Sequence, residues 1–141
     1  MQSVAIRIPQ DLVSALVQLA QLEPMRECCG LLAGPPGSIA RIYRATNAAS
    51  NPATSYEIAP QELFSLMREI RAAGLGLTGI YHSHPNGKNE PSPRDIELAC
   101  YPDTAYVIIS PLAGAPRPVR AFSICEGRAT ELRVETGSLE S

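Results

Sequence analysis

Tryptophan is absent, and aromatic residues make up only 5% of the 141-residue chain. A cluster of lysine and arginine is also missing: 12 basic residues face 14 acidic ones, for a net charge of −2. Nucleic acid and anionic membrane both call for a basic patch, so neither is an expected partner. No apolar run approaches the roughly 18–20 residues that a membrane-spanning helix requires. The opening Met-Gln-Ser-Val-Ala-Ile-Arg lacks the charged-then-apolar layout of a secretory leader, and a cytoplasmic protein is the expectation. Repeats and low-complexity segments are missing too. The length suits one domain over residues 1–135, able to bury its own core, with a flexible tail over 136–141.

Cysteine is sparse. Of the four, Cys28 and Cys29 are adjacent, which excludes a Cys-x-x-Cys redox or zinc pair between them. In a reducing compartment Cys28 and Cys29 read as buried small apolar residues. A reactive Cys28 beside Glu27 is the other option, and its base would have to be His82 or His84.

What is present alternates between helix and strand signals. Val4, Ile6 and Ile8 alternate as a first strand, and a helix follows from Pro9-Gln10-Asp11 to Leu22, with Leu12, Val13, Leu16, Leu19 and Ala20 on one stripe. Cys28 to Ala33 reads as a buried strand, and Gly34-Pro35-Pro36-Gly37 turns it into a hairpin partner over Ile39 to Ala45. A loop over Thr46 to Ser55 and a short strand at Tyr56-Glu57-Ile58 precede a second helix from Pro60. That helix carries Leu63, Phe64, Leu66, Met67 and Ile70 toward the core and stops at Gly74. A strand leads through Leu75 to Ile80, and a third helix from Pro93 to about Cys100 turns Ile96, Leu98 and Ala99 inward. Ala105 to Ser110 suits a central strand. Val119 to Ile124 and Thr130 to Val134 pair around Glu126-Gly127-Arg128. The fold class is therefore α/β or α+β: a mixed sheet with helices packed on it.

The chain's two histidines stand two residues apart, at His82 and His84, where an extended strand points both side chains the same way. Neutral imidazole is the commonest metal ligand near neutral pH. A catalytic zinc takes three protein ligands and keeps a fourth position open, so a third ligand is required. Asp95 is the best candidate. Pro85, Asn86 and Gly87 break the strand, Ser92 suits a helix N-cap, Pro93 suits N1, and Asp95 falls at N3. The same Ser-Pro-Arg-Asp is also an ordinary capping arrangement. Glu27 on local grounds is a charge flanking a strand.

His82-x-His84-Pro85, then Ser92-x-x-Asp95 after six residues, resembles the signature of the JAMM (MPN+) zinc metalloproteases. The family's distant Glu-x-x-Gly-x-Leu-x-Gly is met at Glu27-Cys28-Cys29-Gly30-Leu31-Leu32-Ala33-Gly34. The resemblance spans about Val4 to Val134 and fits the compact, stand-alone prokaryotic members. It implies the MPN fold, a curved mixed β-sheet flanked by helices and similar to cytidine deaminases. It implies one Zn2+ held by His82, His84 and Asp95, with Glu27 as general base and Ser92 as an oxyanion donor. The implied reaction is hydrolysis of a peptide or isopeptide bond at the C-terminal tail of a ubiquitin-like protein. The short Pro85–Ser92 connection favours a sulfur-carrier protein over polyubiquitin. Two other readings stay open. One is a cupin-like or facial-triad iron enzyme, although Glu90 follows His84 after five residues and no later histidine exists. The other is a non-catalytic MPN-type binding module, whose members typically lack the ligands. A RadC-like protein shares the motif but usually carries an N-terminal helical region.

Overall fold

The computed structural model describes residues 4–137. Turn chemistry sets the local pairings. Between β6 (Val119–Cys125) and β7 (Arg128–Glu135), Glu126 and Gly127 both take positive φ, 52° and 75°. Two successive left-handed residues make the tight turn whose twist matches an antiparallel pair, and Cys125 faces Arg128 across it. The Pro-Pro-Gly turn likewise folds β2 (Cys29–Gly34) onto β3 (Arg41–Ala45), antiparallel. Longer crossovers bring in β1 (Ala5–Arg7), β4 (Gly76–Ser83) and β5 (Ala105–Ile109).

The seven strands form one sheet in the order β1-β7-β6-β5-β4-β2-β3. The β1/β7 and β4/β5 pairs are parallel and the others antiparallel. Arg7 also bridges Ser38, in the turn between β2 and β3, through Arg7 N–H to the Gly37 carbonyl and Ile39 N–H to the Arg7 carbonyl. The two ends of the sheet therefore approach one another, and the sheet is curled. This mixed, helix-flanked architecture is the expected one. It is not the antiparallel jelly roll of a cupin.

Alternation assigns the two faces. Leu32, Tyr81, Val107 and Ile109 pack with helix α1 (Gln10–Leu22), whose Leu16 and Ala20 are fully buried. Leu31, Ala33, Ile80 and Tyr106 point the other way, against α2 (Pro60–Ala72) and α3 (Pro93–Leu98). Every residue of β5 is buried, as its central place demands.

Several expectations need correction. Tyr56–Ile58 is not a strand; side-chain and loop hydrogen bonds hold it instead. Phe64 is 66% exposed and Leu98 57% exposed. Each lies two positions from a core-facing residue of its own helix, Leu66 or Ile96, so about 200° of rotation turns it outward. Cys28 and Cys29 are buried as expected, Cys100 is exposed and Cys125 half-buried; all four are free thiols. Burial pushes the Cys28 thiol up, and Cys29 to about 12, which works against the nucleophile option. No helix among the described residues is long and apolar enough to cross a membrane. Of the expected flexible tail over 136–141, residues 138–141 lie outside the described residues. Gly137 is tied back by Arg7 through its carbonyl, at 3.1 Å.

Candidate metal centre

β4 is paired on both sides, by β2 and β5, so its C-terminal end is held rigidly. His82 sits opposite Cys29 on one side and Ile108 on the other. Past the strand's end, His84 N–H donates to the Ile109 carbonyl at 3.0 Å and stays extended. Period-two geometry then aims both rings to the side of Ile80. Their Nε2 atoms lie 3.1 Å apart.

Asp95 comes from the first turn of α3. Both halves of a capping box are made: Ser92 Oγ accepts from Asp95 N–H at 3.0 Å, and Asp95 Oδ2 accepts from Ser92 N–H at 2.9 Å. The same Oδ2 lies 3.2 Å from His82 Nε2 and 3.1 Å from His84 Nε2. Capping and convergence on the histidines are thus one arrangement. The cap fixes the carboxylate's direction, and that direction is toward the two imidazoles.

Glu27 arrives through register. β2 runs antiparallel to β4 with Cys29 opposite His82, so stepping back two residues and forward two brings Glu27 opposite His84. Glu27, His82 and His84 each offer a ligand atom within 4.8 Å of the others, and all three residues are buried.

The donor set fits a metal ion. His84 Nδ1 lies 2.6 Å from the Lys88 carbonyl, which can only accept, so Nδ1 carries the proton and Nε2 presents a lone pair. A lone pair 3.1 Å from a carboxylate oxygen needs a cation between them. A proton can fill one such contact, and with His82 Nε2, His84 Nε2 and Asp95 Oδ2 within 3.2 Å of one another the set suits a metal ion. Glu27 Oε1 and His82 Nδ1 are buried without a partner among the described residues.

The electrostatics separate the carboxylates. Burial raises Glu27 to about 7, the nearby Asp95 adding to the rise while His84 and Arg94 oppose it. Burial also works against charge on Asp95, but the two imidazoles beside it and the bond from the Ser92 N–H hold its carboxyl far below the usual range. Burial lowers His82. It opposes charge on His84 too, yet the bonds to Asp95 and Lys88 outweigh it and raise that ring. One carboxylate is therefore a fixed anion, and the other exchanges its proton near neutral pH.

All five residues expected at the site, Glu27, His82, His84, Ser92 and Asp95, come from two strand ends and one helix start at the same end of the sheet. Tyr56, unforeseen, stacks on the His82 ring with centroids 4.5 Å apart and planes at 22°. Its placement comes from the 46–58 loop, whose local sequence carries no periodic signal.

The family model for prokaryotic homologs of the JAB domain matches residues 9–125. The chain is 36% identical over 126 residues to the CysO-cysteine peptidase of Mycobacterium tuberculosis, covering 88% of this chain and 86% of that protein. It is 37% identical over 91 residues to the desampylase of Haloferax volcanii, spanning 63% of this chain and 66% of that protein, just under two thirds of its length. Among solved structures, a protein from Desulfitobacterium hafniense superposes with a TM-score of 0.78 at 26% identity, over 92% of this chain and 90% of the other. Motifs, curled sheet and comparisons agree, and this chain belongs to the prokaryotic homologs of the JAB domain, the family its histidine and glutamate motifs resemble.

Proposed function

We propose that this protein is a zinc metallopeptidase that cuts a peptide or isopeptide bond at the C-terminal tail of a ubiquitin-like sulfur-carrier protein. The observation that carries the reading is the meeting of His82 Nε2, His84 Nε2 and Asp95 Oδ2 within 3.2 Å, beside a buried Glu27 with a pKa of about 7. His82, His84 and Asp95 hold the metal. Two imidazoles and a carboxylate are a common ligand set of catalytic zinc. One bound zinc supplies Lewis acidity at the scissile carbonyl and lowers the pKa of water toward about 7.

The chain's own residues do the rest. Glu27 is not a ligand in this reading; it takes the proton of the attacking water and delivers it to the departing nitrogen. A pKa near the working pH lets one carboxyl do both. Ser92 Oγ already accepts the Asp95 N–H, so its own proton is free to donate to the carbonyl oxygen as charge develops there. Tyr56 covers one face of His82 and keeps solvent from it.

Two facts support the substrate. One relative is named for a CysO-cysteine bond and another is named a desampylase. β3 is an edge strand, and its Ala45 is in register with Cys29, itself opposite His82. An extended tail adding to that edge runs toward the metal ligands. Four unpaired thiols suit the reducing cytoplasm. The test is to incubate the protein with sulfur-carrier proteins bearing extended C-termini, with and without a chelator, and to weigh the products. A mass loss that chelation abolishes and zinc restores supports the proposal. Intact carriers throughout the panel refute the substrate, and chelator-insensitive cleavage refutes the metal.

A further inference from the structure

Asn47 is a buried polar residue, 8% exposed, in the loop after β3, and it touches none of the metal-facing atoms. Its amide is nevertheless fully used. Nδ2 donates to the carbonyls of Glu27 at 2.9 Å and Ser55 at 3.0 Å, with a longer contact to Pro52 at 3.4 Å. Oδ1 accepts from the N–H groups of Ala49 at 3.0 Å and Glu57 at 3.2 Å. The amide orientation follows from its neighbours, since a flip would set its donors against two N–H groups. Glu27 N–H donates to the Pro52 carbonyl at 2.7 Å, so both sides of this residue's backbone are fastened to one loop. The loop's other end is fastened as well, where Ala48 N–H donates to the Glu57 carbonyl at 2.8 Å. Tyr56, between the Ser55 and Glu57 contacts, is the residue stacked on His82.

Glu27 needs such an external fastening. It stands two residues before β2 begins, outside the ladder that fixes Cys29 onward, and its carboxylate has an unpartnered oxygen. No hydrogen bond among the described residues holds its buried Oε1, so the backbone carries the task of setting its direction. We propose that Asn47 is a positioning residue for the reaction: it clamps the Glu27 backbone and the Tyr56-bearing loop into one rigid unit, which aims the base at the metal site. This rests on Glu27 being the base.

The experiment compares Asn47→Asp and Asn47→Ala with wild type and Glu27→Gln, all zinc-loaded, on the same carrier substrate and well below each variant's melting temperature. Asn47→Asp retains the acceptor side and loses both donated bonds; Asn47→Ala loses everything. The readouts are metal per chain, melting temperature, kcat and KM. The expected result is one metal per chain, KM within about threefold, and kcat down roughly 10- to 100-fold, since a misplacement of about 1 Å costs on that order. A merely structural residue lowers the melting temperature and leaves kcat per loaded molecule unchanged, and that result overturns the proposal. So does loss of metal or of folding in both variants, which assigns Asn47 to the scaffold. Wild-type turnover by Glu27→Gln instead sinks the base assignment, whichever way the Asn47 variants behave.

Discussion

Replacing Glu27 by Gln is expected to produce a protein that is more stable and inactive. Glu27 is 3% exposed, and the pKa of its carboxyl rises from 4.5 to about 7 on folding, burial being the main cause. A folded-state pKa above the unfolded value means that the native state binds the proton more tightly. That contribution to stability is complete below pH 4.5 and is lost as pH rises through about 7. A shift of this size corresponds to about 3 kcal/mol lost by pH 8 and under about 1 kcal/mol by pH 5. A neutral amide does not titrate and escapes the loss, while the side chain's unpaired polar atom is merely exchanged for another. Metal-free Glu27→Gln should therefore melt higher than metal-free wild type at pH 8, by roughly 10 °C for a chain of this length, with the gap nearly closed at pH 5. Calorimetry of both proteins at the two pH values measures it. With zinc loaded, the same variant should retain metal and lose about 100- to 10,000-fold in kcat. An unchanged or lower melting temperature at pH 8 would refute the buried, proton-holding Glu27. Wild-type turnover would refute its role as base.

Other substitutions separate the remaining roles. Asp95→Asn keeps an oxygen able to accept from Ser92 N–H but removes the charge shared by two imidazoles; elemental analysis should find little metal, turnover should vanish, and circular dichroism should persist. Ser92→Ala should keep the metal and lower kcat roughly 100- to 1,000-fold, with a separate loss of about 1 kcal/mol in urea unfolding from the broken cap. A Cβ on Gly30 presses into the Tyr43 carbonyl and the Tyr81 ring; because the first is backbone of a paired strand, Gly30→Ala should cost about 3 kcal/mol or more in the same assay.

The polar residues of the site were legible because each sits in a local pattern. His82 and His84 share a side by strand periodicity alone, and the Ser92–Asp95 cap is written in four consecutive residues. Element order followed from the same short-range rules, with turns at Gly34–Gly37 and Glu126-Gly127. Phe64 and Leu98 went astray where apolar character was equated with burial, because only packing decides which side of a helix meets the sheet. Glu27 was placed by motif resemblance, not by its neighbours; its approach to His84 follows from a strand register more than fifty residues away in the chain. Tyr56 over His82 and the five side-chain contacts of Asn47 left no mark in any window of sequence. Residue type and spacing thus determined which chemistry this chain offers and which elements carry it. The tertiary structure alone decided that His82 Nε2, His84 Nε2 and Asp95 Oδ2 come within 3.2 Å and that one carboxyl loses its solvent while its neighbour is held ionised beside two imidazoles and a backbone N–H. Distance and desolvation belong to packing between segments remote in sequence, and they set both the affinity for a cation and the proton's place.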